Sequence, residues 1–397
     1  MSIDLSKLPE GFTDDPYPYY KQLCSDTPVH AQVDGSVIVS SHAGLEQIFR
    51  DTKTYSSDKT LVFKPKYGET PLYEHHTTSL VFNDPPLHTR VRKIMVGALT
   101  PRSIAHLEAG LESLVDDLLD AVETELSMHQ RCDLIEHFAS RIPVNVIGNL
   151  FDMPMEDRGP LRDWSLAILG ALEPVLTAEQ LDAGNTAVLE FKHYLKQLVD
   201  DRIKSPGDPQ TDVLTRLLFN DIGALSETEL LHQCIFILNA GHETTTNLIG
   251  NTIALLHDHP DTRAKLNKYP EHIGTAIDEF LRFESPNQFG NRLTTCDCSL
   301  LGVELKAGTN LHLCLAAANR DERVFANAQT LDITRKPNRH FAFAGGPHSC
   351  IGLNLAKIEG RVAILKFLQR FPSFEIKQRS RSSRVRFRGF TQLSMSI

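Results

Sequence analysis

Cys350 lies in the run Phe343-Ala-Gly-Gly-Pro-His-Ser-Cys-Ile-Gly352, where two glycines and a proline make a tight loop that delivers one thiol to the start of a helix. A sulfur placed there faces unsatisfied backbone N–H groups and the positive end of the helix macrodipole, which favours thiolate. Such a thiol is a metal ligand or a nucleophile, against the plainer reading of a small buried hydrophobe. A second unusual run is Ala240-Gly241-His242-Glu243-Thr244-Thr245-Thr246, set inside a long segment of helical periodicity. Glycine costs a helix about 1 kcal/mol relative to alanine, and threonines bond back to preceding carbonyls, so a local rule is broken mid-element, as at functional sites. Small Ala240 and Gly241 admit a planar ligand, the Thr244 hydroxyl can hold a water, and Glu243 beside it can relay protons. A third run, Glu279-Phe-Leu-Arg282, sets opposite charges at i and i+3 on one helix face.

Together these runs resemble the cytochrome P450 family. Phe343, His348, Cys350 and Gly352 stand in the pattern of its haem-ligating loop, with Ala344 where the family usually has glycine. Ala240, Gly241, Glu243 and Thr244 are similar to its oxygen-activating motif, without departure. The resemblance implies that Glu279 and Arg282 form a buried pair joined by a later arginine, for which Arg335 is the candidate. It also implies that His88 and Arg92, in Asp84-Pro-Pro-Leu-His-Thr-Arg-Val-Arg92, hold haem propionates together with Arg292 and His348. Arg90 is then a surface or helix-end charge, and His242 is turned away from the haem.

By the same resemblance the chain is expected to be a haem-thiolate monooxygenase with haem b, Cys350 as iron ligand, and one atom of O2 entering a small organic substrate by hydroxylation or oxidative dealkylation. The chain has no dinucleotide fingerprint, flavin segment or iron–sulfur cysteine cluster, so electrons must come from a ferredoxin or flavodoxin with an NAD(P)H-dependent reductase. Lys336, Arg339, Lys357 and Arg361 are candidates to meet an acidic partner. The rivals are a peroxide-driven haem-thiolate peroxygenase, which would not need Glu243 and Thr244, and a non-catalytic haem sensor or carrier, for which no output segment is seen. By position relative to the motifs, the substrate pocket takes Phe236, Asn239, Asn287, Gln288, Phe289, Phe390 and Thr391, with stretches 60–83 and 164–180 completing it.

The elements that must position these residues are mostly helical. Ser226-Glu-Thr-Glu229 is a capping box that can open a helix to about His257, roughly 45 Å long at 1.5 Å per residue. Helical spacing also marks 103–126, 132–151, 160–172, 185–204, 260–283 and 352–371, the last with an apolar face through Leu355, Ile358, Val362 and Leu365. Strand-like alternation is concentrated in 28–60, 292–313 and 374–397. The fold class is mainly α with small β-sheets. At 397 residues and 41% apolar content the length alone suggests two or three domains, but no linker or repeat divides the chain, and a single domain is expected.

Seven cysteines at irregular spacing point to reduced thiols, and Cys296-x-Cys298 lacks the second pair of a zinc site. A net charge of −9 gives no case for general nucleic-acid binding. No stretch approaches the ~18 apolar residues of a membrane span and no leader pattern opens the chain, so a cytoplasmic protein is expected.

Overall fold

The computed structural model describes residues 3–99, 101–220 and 222–396. It is mainly helical with small sheets, and the chain groups into two compact units, Met1–Tyr55 with Gly110–Ile142 and Thr244–Ile397, and Ser56–Ala109 with Pro143–Glu243.

The second of these units is mainly helical. Thr70 accepts from the Tyr73 N–H and Pro71 occupies the first turn, so the helix Pro71–Thr78 begins where cap and proline dictate. Before it runs Thr60–Tyr67, whose Phe63 meets Phe82 edge-on at 4.9 Å and whose Tyr67 hydroxyl donates to the Ala171 carbonyl at 2.7 Å. The stretch 60–83, expected to help complete the pocket, is thus largely helical. Leu161–Gly170 and Ala178–Lys204 pack through Trp164 on Phe191, ring centres 4.7 Å apart. The long helix Glu227–Asp258 opens on the expected capping box: Ser226 N donates to Glu229, and Glu229 N donates back to the Ser226 hydroxyl. Arg90 pairs with Glu229 and with the Ala224 carbonyl, the helix-end role expected of it.

In the first unit, strands Val29–Ala31, Val37–Val39, Asn310–Cys314 and Phe289–Thr294 lie side by side in that order, Val37 pairing Leu311 in parallel and Leu311 pairing Arg292 antiparallel. Val37, Ile38 and Val39 are all buried, as strands covered on both faces should be. The C-terminal hairpin Glu375–Arg381 and Phe390–Ser396 pairs also with Cys132–Asp133. That pairing breaks the expected helix 132–151 into a short strand, a π-helical segment at Ile135–Ala139 and the helix Arg141–Leu150. The expected helix 260–283 is likewise divided, into Pro260–Lys268 and Ile273–Phe283, at Pro270, which has no N–H to continue the ladder. Helix Leu353–Arg370 follows Gly352 and buries Leu355, Glu359, Val362, Ala363 and Phe367, a face rotated from the one expected because Ile358 and Leu365 are only half-buried.

The tail 377–388, basic in sequence, is partly an internal cross-link. Buried Glu284 receives Arg388, Arg381 and Arg320, while Arg320 lies over the Tyr17 ring at 3.5 Å and Arg388 donates to the Thr13 and Asp14 carbonyls. Burial by itself would raise the Glu284 carboxyl, but the three guanidiniums outweigh it and hold the group below its ordinary value.

Candidate active site

Cys350 is half-buried on a loop whose shape is set by its own backbone bonds: Ala344 N donates to Phe341 O at 2.8 Å, Ser349 N to Gly346 O at 3.0 Å and Cys350 N to Phe343 O at 2.9 Å. The two glycines here make room for a neighbouring helix. A Cβ on Gly346 would stand 2.1 Å from the Phe49 carbonyl oxygen, one on Gly345 2.9 Å from the Phe49 ring, and Gly346 has φ +63°. At Gly352, by contrast, nothing lies within 4 Å of an added Cβ. Phe343, His348 and Gly352 are all half-buried on this loop.

Ala344 adopts φ +55°, a conformation that costs an L-residue about 1 kcal/mol, so the position explains why glycine is the usual choice there. Ala344→Gly should raise the urea midpoint by the equivalent of roughly 0.5 kcal/mol, the relief of strain less the greater freedom of the unfolded glycine. A lower midpoint would mean that the methyl group packs usefully.

Of the other six thiols, Cys24, Cys132, Cys234 and Cys314 are buried. Burial pushes the first two up to about 12 and the last two higher, which leaves them neutral and inert. Cys296 is exposed and Cys298 half-buried on a surface hairpin. Among the described residues no group of three or more His, Cys, Asp or Glu side chains could hold a bare metal ion. The half-buried Cys350 thiol fits a metal that brings its other ligands, as iron does in a porphyrin.

The loop is anchored to a buried ion pair. Glu279 and Arg282 are fully buried and bidentate, Nε and Nη2 each 2.8 Å from a carboxylate oxygen, and Arg335 Nε joins the same carboxylate at 3.1 Å. Sequence reasoning missed two further members. Asn338 Nδ2 donates to Glu279 at 3.1 Å, and Asn319 accepts from Arg282 through its carbonyl at 3.0 Å and from Phe341 N through Oδ1 at 2.6 Å. That chain of contacts runs from the pair to Phe341, which the Ala344 N–H ties to the cysteine loop. Asp278 next door takes Lys357 at 2.6 Å and His340 at 3.3 Å, so Lys357 is not a free surface charge.

Along the long helix, Glu243 is buried, Ala240 and Thr244 are half-buried, and the helix is unbroken. The missing side chain of Gly241 is taken up by Ile147, whose Cδ1 would be 2.6 Å from an added Cβ, so helix packing accounts for this glycine. His242 is 3% exposed and burial lowers it to about 4, with Arg162 adding to the effect, so it is neutral at pH 7.

His88, buried, and Arg92, half-buried, sit one turn apart on the helix Leu87–Ala98. Arg292, also buried, extends from strand Phe289–Thr294 over the Phe49 ring at 5.5 Å and donates to Asn291 O, and His348 lies in the short turn Gly346–His348.

The residues expected to line the pocket divide. Phe236 is half-buried and Asn239 buried on the long helix. Asn287 bridges to Phe387. Gln288 and Phe289 belong elsewhere than expected: Gln288 donates to Ser285 O at 2.6 Å, and Phe289 meets Tyr20 edge-on at 5.9 Å within the core that holds the N-terminal segment. Phe390 is buried under Arg381, and Thr391 points outward with its hydroxyl on Ser380 O. Alternation in a paired strand sends these two neighbours to opposite faces.

The cytochrome P450 family model matches residues 29–269 and 271–394 of the chain. A biotin biosynthesis cytochrome P450 of Bacillus subtilis (strain 168) is 33% identical over 383 residues, 95% of this chain and 94% of that one. Among solved structures, P450BioI in complex with acyl carrier protein ligated to hexadec-9Z-enoic acid has a TM-score of 0.91 at 31% identity, covering 97% of this chain and 99% of that one. A myxobacterial cytochrome P450 in complex with myristic acid has a TM-score of 0.88 at 30% identity, covering 97% of each. The fold is thus that of a haem-thiolate oxidoreductase. The chain belongs to the cytochrome P450 family; it is a monooxygenase, and its cofactor is haem b. Among the described residues no helix is long and apolar enough to cross a membrane.

Proposed function

We propose that Cys350 is the thiolate ligand of the haem iron and that the enzyme hydroxylates, or oxidatively dealkylates, an extended lipophilic substrate. The observation that carries the ligand assignment is the placement of this half-buried thiol on a loop tied through Phe341, Asn319 and Arg282 to a fully buried ion pair. The substrate class draws on the acyl chains bound in two similar enzymes. His88, Arg92, Arg292 and His348 would hold the haem propionates, which need cationic or hydrogen-bonding partners in an apolar crevice. When bound, haem supplies the activation of O2 and the insertion of one oxygen atom into a C–H bond.

The chain's own residues bind the substrate, exclude water and move protons. Glu243, buried beside Thr244 in the long helix, passes protons inward, and the Thr244 hydroxyl orients the last donor. The chain acts as one catalytic domain and takes its electrons from a separate ferredoxin or flavodoxin with an NAD(P)H-dependent reductase. Lys336 and Arg339, both exposed, offer charges to an acidic donor, and the encounter should weaken with salt.

Thr244→Ala should keep its haem yet yield at least about tenfold less hydroxylated product per NAD(P)H consumed, with hydrogen peroxide rising in proportion. Tetradecanoic acid with a ferredoxin and its reductase is a suitable assay. Unchanged coupling in the variant would remove Thr244 from the proton path, and equal turnover of wild type with peroxide alone would favour the peroxide-driven alternative.

A further inference from the structure

Residues 232, 236, 239, 240 and 243 recur at i, i+4, i+7, i+8 and i+11 and so share one face of the long helix. Near its start the face carries a polar cluster: His232 Nδ1 lies 3.2 Å from His75 Nδ1, and His232 Nε2 faces Glu74 at 3.3 Å, which also takes Lys192. Two turns further on it carries an amide. Asn239 is 2% exposed; its Oδ1 accepts from the Ser165 hydroxyl at 2.9 Å, and its Nδ2 is buried with no hydrogen-bond partner among the described residues.

A buried amide usually serves to satisfy the backbone. Asn239 does not, because it sits inside a helix whose backbone groups bond within the helix, and its one bond goes to another side chain. Ser165, itself 1% exposed, holds the amide by its Oδ1, and both N–H bonds are left unspent. A donor kept unpaired one residue before Ala240, and on the same face as Phe236, calls for a partner that arrives with the substrate.

We propose that Asn239 is a specificity-determining residue: its Nδ2 donates to an acceptor oxygen, a carbonyl, ester or carboxylate, on an otherwise lipophilic substrate. Ser165 is the residue that positions it. The inference rests on the reading of this helix face as the wall of the haem pocket. Hydrocarbon chains bearing a carbonyl function are the class selected. A hydrogen bond made here, where water cannot substitute, is worth about ten- to a hundredfold in affinity.

The test uses the haem-loaded protein and a matched pair of probes, 2-tridecanone and 2-methyl-1-tridecene, which differ only in C=O against C=CH2. Dissociation constants are read from the spin-state shift of the Soret band. Wild type should bind the ketone at least about tenfold more tightly. Asn239→Leu should bring the two within about twofold of each other and raise the thermal midpoint of the ligand-free protein, since a buried unpaired donor is removed. Ser165→Ala should reduce the preference without abolishing it.

Equal binding of the probes by wild type, a preference for the alkene, or no binding of either overturns the proposal. So does an Asn239→Leu protein that keeps the tenfold preference, or one whose midpoint falls, since that marks the amide as structural. Failure of the underlying reading is separate: a protein without a haem band, or one whose Soret band imidazole does not shift, fails before either probe is added.

Discussion

Glu359→Gln should stabilise the protein by about 4 kcal/mol at pH 8 and by less than about 1 kcal/mol at pH 5. Glu359 lies inside the helix that follows the cysteine loop, 2% exposed, and its Oε2 has no hydrogen-bond partner among the described residues. Burial alone raises its carboxyl from an ordinary 4.5 to about 8. Between those values the unfolded chain is ionised and the folded one still holds its proton, so folding must take up a proton. Stability therefore falls as pH rises through this window, by about 1.4 kcal/mol per unit, and is fully regained below 4.5. Glutamine has nearly the same shape and no charge to lose, which removes the slope. Urea unfolding of both proteins at the two pH values gives the comparison. A variant that is no more stable at pH 8 than at pH 5, relative to wild type, would mean that a charge or donor reaches Glu359 and keeps it ionised.

Glu279→Ala should be the most damaging single change outside the iron ligand, at about 3–5 kcal/mol and with loss of bound haem. It leaves two guanidiniums, Arg282 and Arg335, facing each other without their carboxylate, and Arg282 is fully buried. Removing the charge also frees the Asp332 N–H and the Asn338 amide that the carboxylate accepts from. The damage reaches the cysteine loop because Arg282 shares Asn319 with Phe341, whose carbonyl accepts from Ala344 N in the loop. Absorbance in the Soret band relative to protein, measured on the purified variant, reads the haem; the urea midpoint reads the stability. Full haem occupancy in a stable Glu279→Ala protein would show that the loop holds its shape without the pair.

Much of the architecture is legible because its signals are local. The Ser226–Glu229 box, the uninterrupted 3.6-residue period after it, and Glu279 with Arg282 three residues on each state their geometry within a few positions. What stays illegible is set by partners distant in the chain. Gly345 and Gly346 read as a tight loop, but what forbids a side chain there is Phe49, nearly three hundred residues earlier. Gln288 and Phe289 read as pocket wall because they precede Arg292; the N-terminal Tyr20 that covers Phe289 gives no sign in their own neighbourhood. Cys132–Asp133 forms a strand only because Ser394 and Met395 pair with it. Asn338, three residues after Arg335, carries no motif, and only the assembled carboxylate reveals it. The break at Pro270, by contrast, is visible in the sequence, since a proline inside a helical pattern ends the helix before it. Glu359 is also within reach: a glutamate four residues after Leu355 and three before Val362 stands on the buried side of that helix.

Ligation of the haem iron by the Cys350 thiolate is the proposal on which the others depend. The measurement that tests it is the absorption spectrum of the dithionite-reduced protein under carbon monoxide, taken for wild type and for Cys350→His. Wild type should give the Soret band at the long wavelength that marks a thiolate opposite carbon monoxide, and Cys350→His should move it to the ordinary shorter wavelength of a nitrogen ligand. A wild-type band at the shorter position, or a long-wavelength band that survives in Cys350→His, would contradict the account.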